Sequence, residues 1–545
     1  MMRTVIKNGI IYDGTGKAPF EGSIVIDGER IESVVKGSGD GTTGAEACAA
    51  AADEGNLRVI DAAGRYITPG FIDQHRHADL AIFRDSFGPQ ELSQGLTTIN
   101  TGVCGFSCAP CGENSDMLYQ YAEPILGTSG DAEYRKFQDY ISAARRASAE
   151  GRLSINASTL QGLGAIRIAV KGFDPSPYTK EEIRKAQELV EEAIDSGVRG
   201  FSTGLIYNPE MYTSTEEMQE ILKPCRGRNL LFMPHIRNEA GTLPEAVAEA
   251  IEIAETNEMA LSISHFKAIG PENWHVKLDK AIKEIEAARS RGMDVTVDVY
   301  PYHGTSTTLS SVLPYSFLNK PFEKILAGIN TKEETDRLRK CYLEPGPKDN
   351  NLDVNFRWNT TLITGVALKE NEKYLGKSVN DAFKISGYPD LYEFLGNLLY
   401  TEKGSVCMVE LAMDDEDVEN IMRLPYSMII SDSLYSDSKY PHPRAYAMCQ
   451  HMIKEYVLGK RVLSMEEAVR KMTSLQAERM GFEGRGSLKA GNYADVLVFD
   501  PEKLGDNATF DNGKVMSTGI DYAFVNGTLC WHNERQTAKA GKYLL

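Results

Sequence analysis

The strongest constraint on the fold is a regular alternation of apolar and amphipathic segments that begins near Arg65 and continues through most of the chain. Eight apolar segments are predicted strands: YITPGFIDQH, LTTINTG, LSINAST, RGFSTGL, LLFMPH, ALSISH, DVTVDVY and SMIISD. Segments such as KEEIRKAQELVEEAIDSGV lie between several of them, and their apolar residues recur every three to four positions, as in helices. Because near-continuous apolar strands separated by helices indicate a parallel sheet, the sequence predicts an α/β fold with a (β/α)8 TIM barrel.

The two ends of the chain have a different pattern, in which short alternating strands are separated by Asn-Gly and Asp-Gly turns. Residues 1–64 and 486–545 are therefore predicted to form one small β-sandwich domain beside a barrel over 65–485. The seventh and eighth strands are much further apart than one crossover helix requires, which predicts an inserted subdomain at about 303–426. Residues 37–57, which are rich in small side chains, are predicted to form a surface loop.

Composition and charge narrow the range of partners. The 545 residues include 59 Lys and Arg against 77 Asp and Glu, a net charge of -18 that disfavours nucleic acid and anionic membranes and favours a small-molecule substrate. No apolar run is long enough to span a membrane, and the first residues do not have the apolar core of a secretory signal. We therefore expect a cytoplasmic protein without a membrane span. Whether it forms a homo-oligomer is left open.

The nine cysteines are an odd number without an export signal, which favours reduced thiols in the cytoplasm. Six of them are predicted to be buried small hydrophobic residues: Cys48, Cys225, Cys341, Cys407, Cys449 and Cys530. The segment CGFSCAPC places Cys104, Cys108 and Cys111 at the spacing of the iron–sulfur motif of radical S-adenosylmethionine enzymes. An iron–sulfur cluster is therefore an alternative; otherwise Cys108 and Cys111 are expected to be structural.

Six residues that can bind a metal ion follow predicted strand ends. They are His75 and His77 after the first strand, Cys104 after the second, His235 after the fifth, His265 after the sixth and Asp432 after the eighth. Because the carboxyl ends of parallel barrel strands meet at one rim, these side chains are expected to converge. Each could alone be a hydrogen-bonded core residue or a helix cap, but one shared metal site explains all of them together.

The types of these residues indicate both the metal and the chemistry. Imidazole and thiolate ligands favour Zn²⁺, and a carboxylate suits an open catalytic position better than a closed structural site. Zinc can polarise a carbonyl oxygen and lower the pKa of a bound water to around 7. The set therefore predicts hydrolysis by a metal-bound hydroxide, in which Asp432 takes a proton from the attacking water and delivers it to the leaving nitrogen.

The chain resembles the amidohydrolase superfamily, and more closely its D-aminoacylase family of N-acyl-D-amino-acid deacylases. The matching segments include PGFIDQHRHAD, GLTTINTGVCGFSCAP, GFSTGLIYNP, PHIRNE, ISHFKAIGPENW, DVYPYHGTSTTL, MIISDS and GRGSLKAGNYADVLVFDP. The Cys104 segment together with HFKAIG and HPR is what points to the deacylase family. The resemblance implies hydrolysis of an N-acyl-D-amino acid to a carboxylate and a free D-amino acid, and the preference for the D form rests on the resemblance alone.

The resemblance also implies roles for individual residues. One tight zinc would be held by Cys104, His235 and His265, and a weaker second metal position would be lined by His75, His77 and Asp432. The carboxylate of the amino acid would be bound by Lys267, Arg444 and a tyrosine, either Tyr300 or Tyr302. A guanidinium fork, an ammonium charge and a phenol suit such a group.

The sequence departs from the family pattern beside the site rather than at the ligands. Leu163 stands near the place of an expected histidine, Ser433 follows Asp432 where glycine is common, and Ala78 replaces an acidic residue. Because neighbouring residues shape the pocket, these departures concern the choice of substrate.

Two other functions remain open. A cyclic amide hydrolase of the hydantoinase or dihydropyrimidinase kind would use the same chemistry, but such enzymes usually have a bridging lysine, and Lys171 follows the third strand at too great a distance. A barrel that has lost catalysis and acts as a scaffold is the remaining alternative. The presence of every expected ligand argues against it.

Overall fold

The computed structural model describes residues 2–37, 57–128, 133–318, 320–346, 349, 352–436 and 438–544. The loop predicted at 37–57 thus lies almost entirely outside the described residues. In this part of the chain the strands are β1 (Arg3–Ile11), β2 (Phe20–Asp27), β3 (Arg30–Lys36), β4 (Leu57–Asp61), β5 (Tyr66–Pro69), β6 (Phe71–Asp73), β7 (Leu96–Thr101), β8 (Asn156–Thr159), β9 (Gln161–Gly162), β10 (Gly200–Gly204), β11 (Leu231–His235), β12 (Ala260–Ile263), β13 (Val295–Val299), β14 (Thr305–Thr308), β15 (Thr361–Gly365), β16 (Cys407–Glu410), β17 (Ser427–Ile429), β18 (Val496–Phe499), β19 (Ile520–Val525), β20 (Thr528–His532) and β21 (Arg535–Gln536).

The α-helices of the described ranges surround these strands. They are α1 (Pro89–Ser93), α2 (Ser115–Leu126), α3 (Phe137–Ala149), α4 (Leu163–Lys171), α5 (Lys180–Asp195), α6 (Thr215–Ile221), α7 (Leu243–Thr256), α8 (Val276–Ser290), α9 (Phe322–Gly328), α10 (Lys332–Leu343), α11 (Val354–Thr360), α12 (Val379–Ser386), α13 (Leu391–Thr401), α14 (Asp415–Arg423), α15 (Arg444–His451), α16 (Met465–Lys471) and α17 (Ser474–Met480). None of the described helices is long and apolar enough to cross a membrane.

The predicted parallel strands form two hydrogen-bonded sheets. One has the order β17-β13-β12-β11-β10-β9 and the other the order β6-β7-β8, and every neighbouring pair is parallel. Leu160 alone separates β8 from β9. Beyond β6 and β17, a parallel bridge joins Arg76 to Ser433, and the amide of Asp432 donates to the carbonyl of His75 at 3.0 Å. All eight predicted segments contain strands of these sheets, and the α/β class is confirmed.

The first half of the first predicted strand pairs elsewhere. Tyr66–Pro69 forms β5, which is antiparallel to β18 and parallel to β1, whereas the strand that leads to the histidines is the short β6. Strands from both ends of the chain meet in this way in one nine-stranded sheet, with the order β21-β20-β19-β18-β5-β1-β2-β3 and with β4 paired to β1. Ile6, Ile24, Val496 and Phe524 pack in one apolar cluster of this sheet.

Helix α5 shows how the sequence fixes a helix of the parallel part. The Thr179 hydroxyl accepts from the amide of Glu182, and the Glu182 carboxylate accepts from the amide of Thr179 at 2.7 Å, which caps the first turn. Ala186, Val190 and Ala193 are its buried residues, and their spacing of three and four gives one apolar face. The predicted helix is therefore present.

The region between β13 and β17 contains its own sheet and apolar core. Strands β14, β16 and β15 pair antiparallel in that order, and the buried side chains around them include Leu309, Phe317, Trp358 and Leu395. Helix α14, although inside the range predicted for the insertion, packs against β13 and β17. The extent of the insertion as a separate subdomain stays a prediction.

The cysteines are mostly buried, as predicted, with one exception. Among the described residues, Cys225, Cys407, Cys449 and Cys530 are buried. Cys341 is only partly buried, because it lies near the end of α10, a helix dominated by charged residues. Cys48 lies outside the described residues.

Arg76, between the two histidines of the first strand end, is fully buried in a network of charges. Its guanidinium donates to Glu91 Oε1 at 2.9 Å and to Ser431 Oγ at 3.0 Å, and lies 3.3 Å from Asp73 Oδ2. Replacing Arg76 by methionine would leave two buried carboxylates without their counter-charge. We expect this variant to lose about 3–5 kcal/mol of unfolding free energy in urea titrations followed by circular dichroism. Arg76→Lys keeps the charge and should lose less unfolding free energy. A loss of under about 1 kcal/mol for Arg76→Met would contradict the view that Arg76 compensates the two buried carboxylates.

Candidate metal centre

The six predicted metal-binding residues lie together in the structure. His75 and His77 follow β6, Cys104 follows β7, His235 ends β11, His265 follows β12 and Asp432 follows β17. All six are buried, and the most exposed, Asp432, retains 6% of its accessible surface. The structure thus shows the convergence that was expected from the common direction of parallel strands.

Cys104 and Asp432 each contact two imidazoles. Cys104 Sγ lies 3.2 Å from His75 Nε2 and 3.3 Å from His265 Nε2. Asp432 Oδ1 lies 3.2 Å from His77 Nε2 and 3.4 Å from His75 Nε2. His75 therefore stands between the thiol and the carboxylate.

His235 is joined to this cluster through His265. The two ring centroids are 4.2 Å apart, and His235 Nε2 lies 3.7 Å from Glu239 Oε2. Among the described residues, neither ring nitrogen of His235 has a hydrogen-bond partner, although the side chain is buried. Because a buried polar atom without a partner is costly, this imidazole is placed as a ligand would be.

The ligand atoms of the cluster form three groups, each within 4.8 Å. One joins His75, Cys104 and His265, another joins His75, His77 and Asp432, and the last joins His235, Glu239 and His265. The second group is the set predicted for the weaker metal. Cys104 and His235, predicted to share the tight zinc, fall in different groups that meet at His265, so that division of the ligands stays a prediction.

Three members of the cluster have a backbone conformation that side chains rarely adopt. The φ angles of Cys104, His265 and Asp432 are 53°, 33° and 51°. Such conformations cost about 1–3 kcal/mol each and persist where the surroundings enforce them, typically at functional sites. Gly204 shows how close the packing is, because a Cβ there would lie 2.3 Å from the Cys104 carbonyl oxygen.

Two buried carboxylates that the sequence analysis missed hold the histidines in place. Asp298 on β13 accepts from the amide of His265, and its Oδ2 accepts from Gln74 Nε2 at 3.1 Å and lies 3.4 Å from His75 Nδ1. Glu239 Oε1 accepts from Lys267 Nζ and lies 3.0 Å from His265 Nδ1. The available signals were an acidic residue within the apolar strand VTVDV and a glutamate four positions after His235.

The electrostatics keep two imidazoles neutral. Burial lowers the pKa of His235 and His265 well below the ordinary histidine value, and for His265 the nearby Lys267 charge adds to this effect. Neutral imidazole is the form that binds a cation. Burial raises the pKa of the Cys104 thiol to about 11, so that a cation close to Sγ is what would make it a thiolate.

The predicted carboxylate-binding residues lie beside Asp432. Arg444 Nη2 is 2.8 Å from Asp432 Oδ2, and the guanidinium lies 4.4 Å from the ring centre of Tyr300. Lys267 Nζ lies 5.8 Å from the same ring centre. Tyr302 instead stacks on His451, with ring centres 4.4 Å apart. Of the two candidate tyrosines, Tyr300 is the one that contacts Arg444 and Lys267.

A pocket lies over the cluster and has walls from two parts of the chain. His77, His235, His265 and Asp432 line one side of it. Residues of β14 and β16 and a buried ion pair, Arg357 Nε with Glu410 Oε1 at 3.2 Å, line the other. The segment between β13 and β17 thus supplies part of the wall.

The other two cysteines of CGFSCAPC do not join this cluster. Cys108 and Cys111 are buried free thiols, and the metal-ligand group that includes Cys104 is completed by histidines. The ligand geometry at Cys104 therefore favours a histidine-rich centre over an iron–sulfur cluster.

Comparisons with known proteins identify relatives of this chain. A model described as Amidohydrolase family matches residues 428–530. A D-aminoacylase from Alcaligenes xylosoxydans xylosoxydans is 30% identical over 546 residues, which cover 99% of this chain and 97% of that protein. Two solved structures each have a TM-score of 0.79 and 28% identity over 99% of both chains. One is a D-aminoacylase with a binuclear metal centre, and the other is an N-acyl-D-glutamate deacylase from Bordetella bronchiseptica with zinc and a phosphonate inhibitor.

Proposed function

Because the chain belongs to the D-aminoacylase family of amidohydrolases, we propose that it is a metal-dependent hydrolase that cleaves N-acyl-D-amino acids. The products are a carboxylate and a free D-amino acid, and the bond cleaved is a C–N bond other than a peptide bond. The observation that carries this proposal is the buried cluster of four histidines, Cys104 and Asp432 next to a cationic Arg444.

The side chains present suit zinc. We propose that Cys104, His235 and His265 hold the tight ion and that His75, His77 and Asp432 line a weaker second position. The unpaired ring nitrogens of His235 and the thiol beside two imidazoles support this assignment. When bound, zinc would polarise the amide carbonyl and lower the pKa of a bound water to around 7.

Asp432 is placed to move the proton. Burial would raise the pKa of this carboxyl, but the Arg444 charge and the His77 contact hold it well below its ordinary value. An ionised carboxylate can take a proton from the attacking water and deliver it to the leaving nitrogen. Its Oδ2 is held by Arg444, and its Oδ1 faces the imidazoles.

Arg444, Lys267 and Tyr300 are proposed to bind the α-carboxylate of the substrate. Arg444 Nε and Nη1 are buried and have no hydrogen-bond partner in the part of the chain that the structure describes, so the guanidinium retains donors for an anion. Lys267 is paired with Glu239 and adds its positive charge beside the Tyr300 ring.

Replacing Arg444 by lysine should therefore weaken substrate binding. Lysine keeps the charge next to Asp432 but loses the planar fork that fits a carboxylate. We expect KM for the preferred N-acyl-D-amino acid to rise at least about tenfold, with a smaller change in kcat. Arg184→Lys on exposed helix α5 is the matched control, and an unchanged KM for Arg444→Lys would refute the assignment.

The finer architecture is part of the proposal. We propose that the two parallel sheets are one (β/α)8 barrel, closed by the contacts of His75 and Arg76 with Asp432 and Ser433. The nine-stranded terminal sheet is proposed to fold into a small sandwich around its apolar cluster. A cytoplasmic location agrees with the free buried thiols, and a homo-oligomer stays a prediction.

The direct test is a panel of N-acetyl amino acids, each in the D and L form, assayed with zinc-loaded protein for release of the free amine. Turnover of D substrates with little or no turnover of their L forms is the expected result. No hydrolysis across a broad panel would refute the proposed function.

The cyclic amide alternative predicts a carboxylated lysine at the centre. Lys171 donates to the carbonyls of Ser176 at 2.8 Å and Pro177 at 3.0 Å, at the end of α4. Lys267 is engaged with Glu239. If the protein opened the ring of hydantoin, or if mass spectrometry detected a carboxylated lysine, the cyclic amide alternative would be restored. Hydrolysis of any substrate in the panel of N-acetyl amino acids would exclude a non-catalytic scaffold.

A further inference from the structure

We propose that the enzyme prefers a medium-length apolar N-acyl group over acetyl, and that this group lies in an apolar cavity on the far side of the metal centre from Arg444. This inference rests on the proposed function of the same site. We call this space the acyl cavity. Its apolar lining includes Phe106, Tyr121, Phe173, Tyr207, Leu318 and Phe322, and polar side chains such as Asn208, Thr308 and Lys403 complete the wall.

The acyl cavity has room for more than a methyl group. Its volume is about 60 Å³. One water-sized group occupies roughly 10–15 Å³ of such a cavity volume, so about four to six atoms of an acyl chain fit. Aromatic side chains form much of its lining, from the loop after β7, from α2 and from the segment between β13 and β17.

The acyl cavity adjoins the pocket over the metal centre. The two spaces share Ile125, Ile206, Tyr207 and Ser311 in their walls. The Tyr207 ring lies 5.1 Å from that of His235 and 4.8 Å from that of Phe106, between centroids. A group attached to a carbonyl at the metal centre therefore lies next to the cavity, with Tyr207 in the wall of both spaces.

The order of the strands places the acyl cavity opposite the carboxylate site. Its lining residues Phe106 and Tyr207 follow β7 and β10, whereas Lys267, Tyr300 and Arg444 follow β12, β13 and β17. In the proposed barrel, which joins the sheets β6-β7-β8 and β9-β10-β11-β12-β13-β17, strands β7 and β10 lie on one side of β11 and strands β12, β13 and β17 on the other. The residues for the two substrate ends thus come from opposite sides of the cluster.

The covalent structure of the substrate assigns the occupant. In an N-acyl amino acid, the scissile carbonyl carbon bears the acyl chain on one side and the nitrogen, Cα, side chain and carboxylate on the other. With the carboxylate at Arg444 and the carbonyl at the metal centre, the acyl chain points toward the cavity. The amino-acid side chain, bonded to the same Cα as the carboxylate, stays on the Arg444 side.

The size of the preference follows from the surface buried. Each methylene taken out of water contributes about fourfold to binding. Because this contact is remote from the reacting bond and is the same in the ground state and the transition state, it should lower KM more than it raises kcat.

The experiment compares N-acetyl, N-butanoyl and N-hexanoyl derivatives of one D-amino acid with the zinc-loaded enzyme. We expect kcat/KM to be at least about tenfold higher for hexanoyl than for acetyl, mainly through KM. Equal values, or a preference for acetyl, would overturn this inference while leaving the deacylase function intact. If none of the three is hydrolysed, both the inference and the proposed function fail.

Variants of the cavity wall localise the effect. Ser310 lines the acyl cavity and is partly exposed, so Ser310→Phe should fill it and lower the hexanoyl-to-acetyl ratio of kcat/KM at least about fivefold. Ser290→Phe, on an exposed position at the end of α8, is the matched control and should keep the wild-type ratio. Phe322→Ala should move the preference to longer chains. An unchanged ratio in both cavity variants would overturn the assignment.

Discussion

Replacing Asp432 with asparagine is expected to lower kcat by a factor of about 10² to 10⁴ while the protein stays folded and retains its tight metal. The amide is nearly the same size as the carboxylate, and its oxygen can still accept from Arg444, which lies 2.8 Å from Oδ2 in the structure. What asparagine cannot do is take a proton. KM should change less than kcat, because the groups proposed to bind the substrate carboxylate are left in place.

The comparison needs a measure of metal as well as of rate. Zinc per chain after gel filtration should be close to the wild-type value at the tight site, and circular dichroism should show the same unfolding transition. Asp174→Asn is the matched control and should leave kcat unchanged. Asp174 lies in an exposed turn, and its Oδ1 accepts from the Ser176 amide at 2.9 Å. A kcat for Asp432→Asn within about threefold of wild type would show that another group moves the proton.

The metal-binding cluster could be predicted from the sequence because each of its residues follows the carboxyl end of a predicted strand. Apolar segments separated by helices require a parallel sheet, and parallel strands bring their carboxyl ends to one edge, so residues such as Cys104 and His265 converge whatever the details of the loops. His75 and His77 lie beyond the end of their strand, because β6 ends at Asp73. His75 and His77 nevertheless both reach Asp432, while Arg76 between them contacts Glu91.

The residues that support the cluster could not be predicted in the same way. Asp298 and Glu239 act through contacts with His75, His265 and Lys267, which depend on how neighbouring strands are placed in space. The sequence does not show which residue an aspartate or glutamate contacts in the folded protein. The sequence could not decide between Tyr300 and Tyr302 for the same reason, because the choice depends on which ring lies against the guanidinium of Arg444.

The strand pairing in the segment between β13 and β17 could not be predicted from sequence patterns. Its strands β15 and β16 were visible as the apolar runs TTLITGVAL and VCMVEL, but their pairing with β14 is antiparallel and follows an order that spacing alone does not give. The acyl cavity lies partly in this region, so its existence was not predictable either. The length of the segment predicted an insertion but not which of its side chains line the pocket.

Replacing Cys104 with alanine is expected to remove the tight zinc and, with it, nearly all activity. Cys104 Sγ lies within 3.3 Å of both His75 Nε2 and His265 Nε2, which is the closest approach of a soft ligand to the imidazoles. Loss of a supporting contact around a metal typically weakens binding by about 10- to 100-fold, and loss of a direct ligand should exceed this. The measurement is zinc per chain after dialysis against a weak chelator, which is independent of the assay.

Cys108→Ala is the control that separates a ligand from a buried thiol, because Cys108 lies in the same loop and is equally buried. It should keep stoichiometric zinc and measurable activity, with only the modest loss of stability expected when a small buried side chain is shortened. Full zinc in Cys104→Ala would contradict the assignment of the tight site. It would favour His235, Glu239 and His265, whose ligand atoms also lie within 4.8 Å of one another, as the primary metal ligands. The two variants together therefore decide whether the thiol or the glutamate completes the tight site at His265.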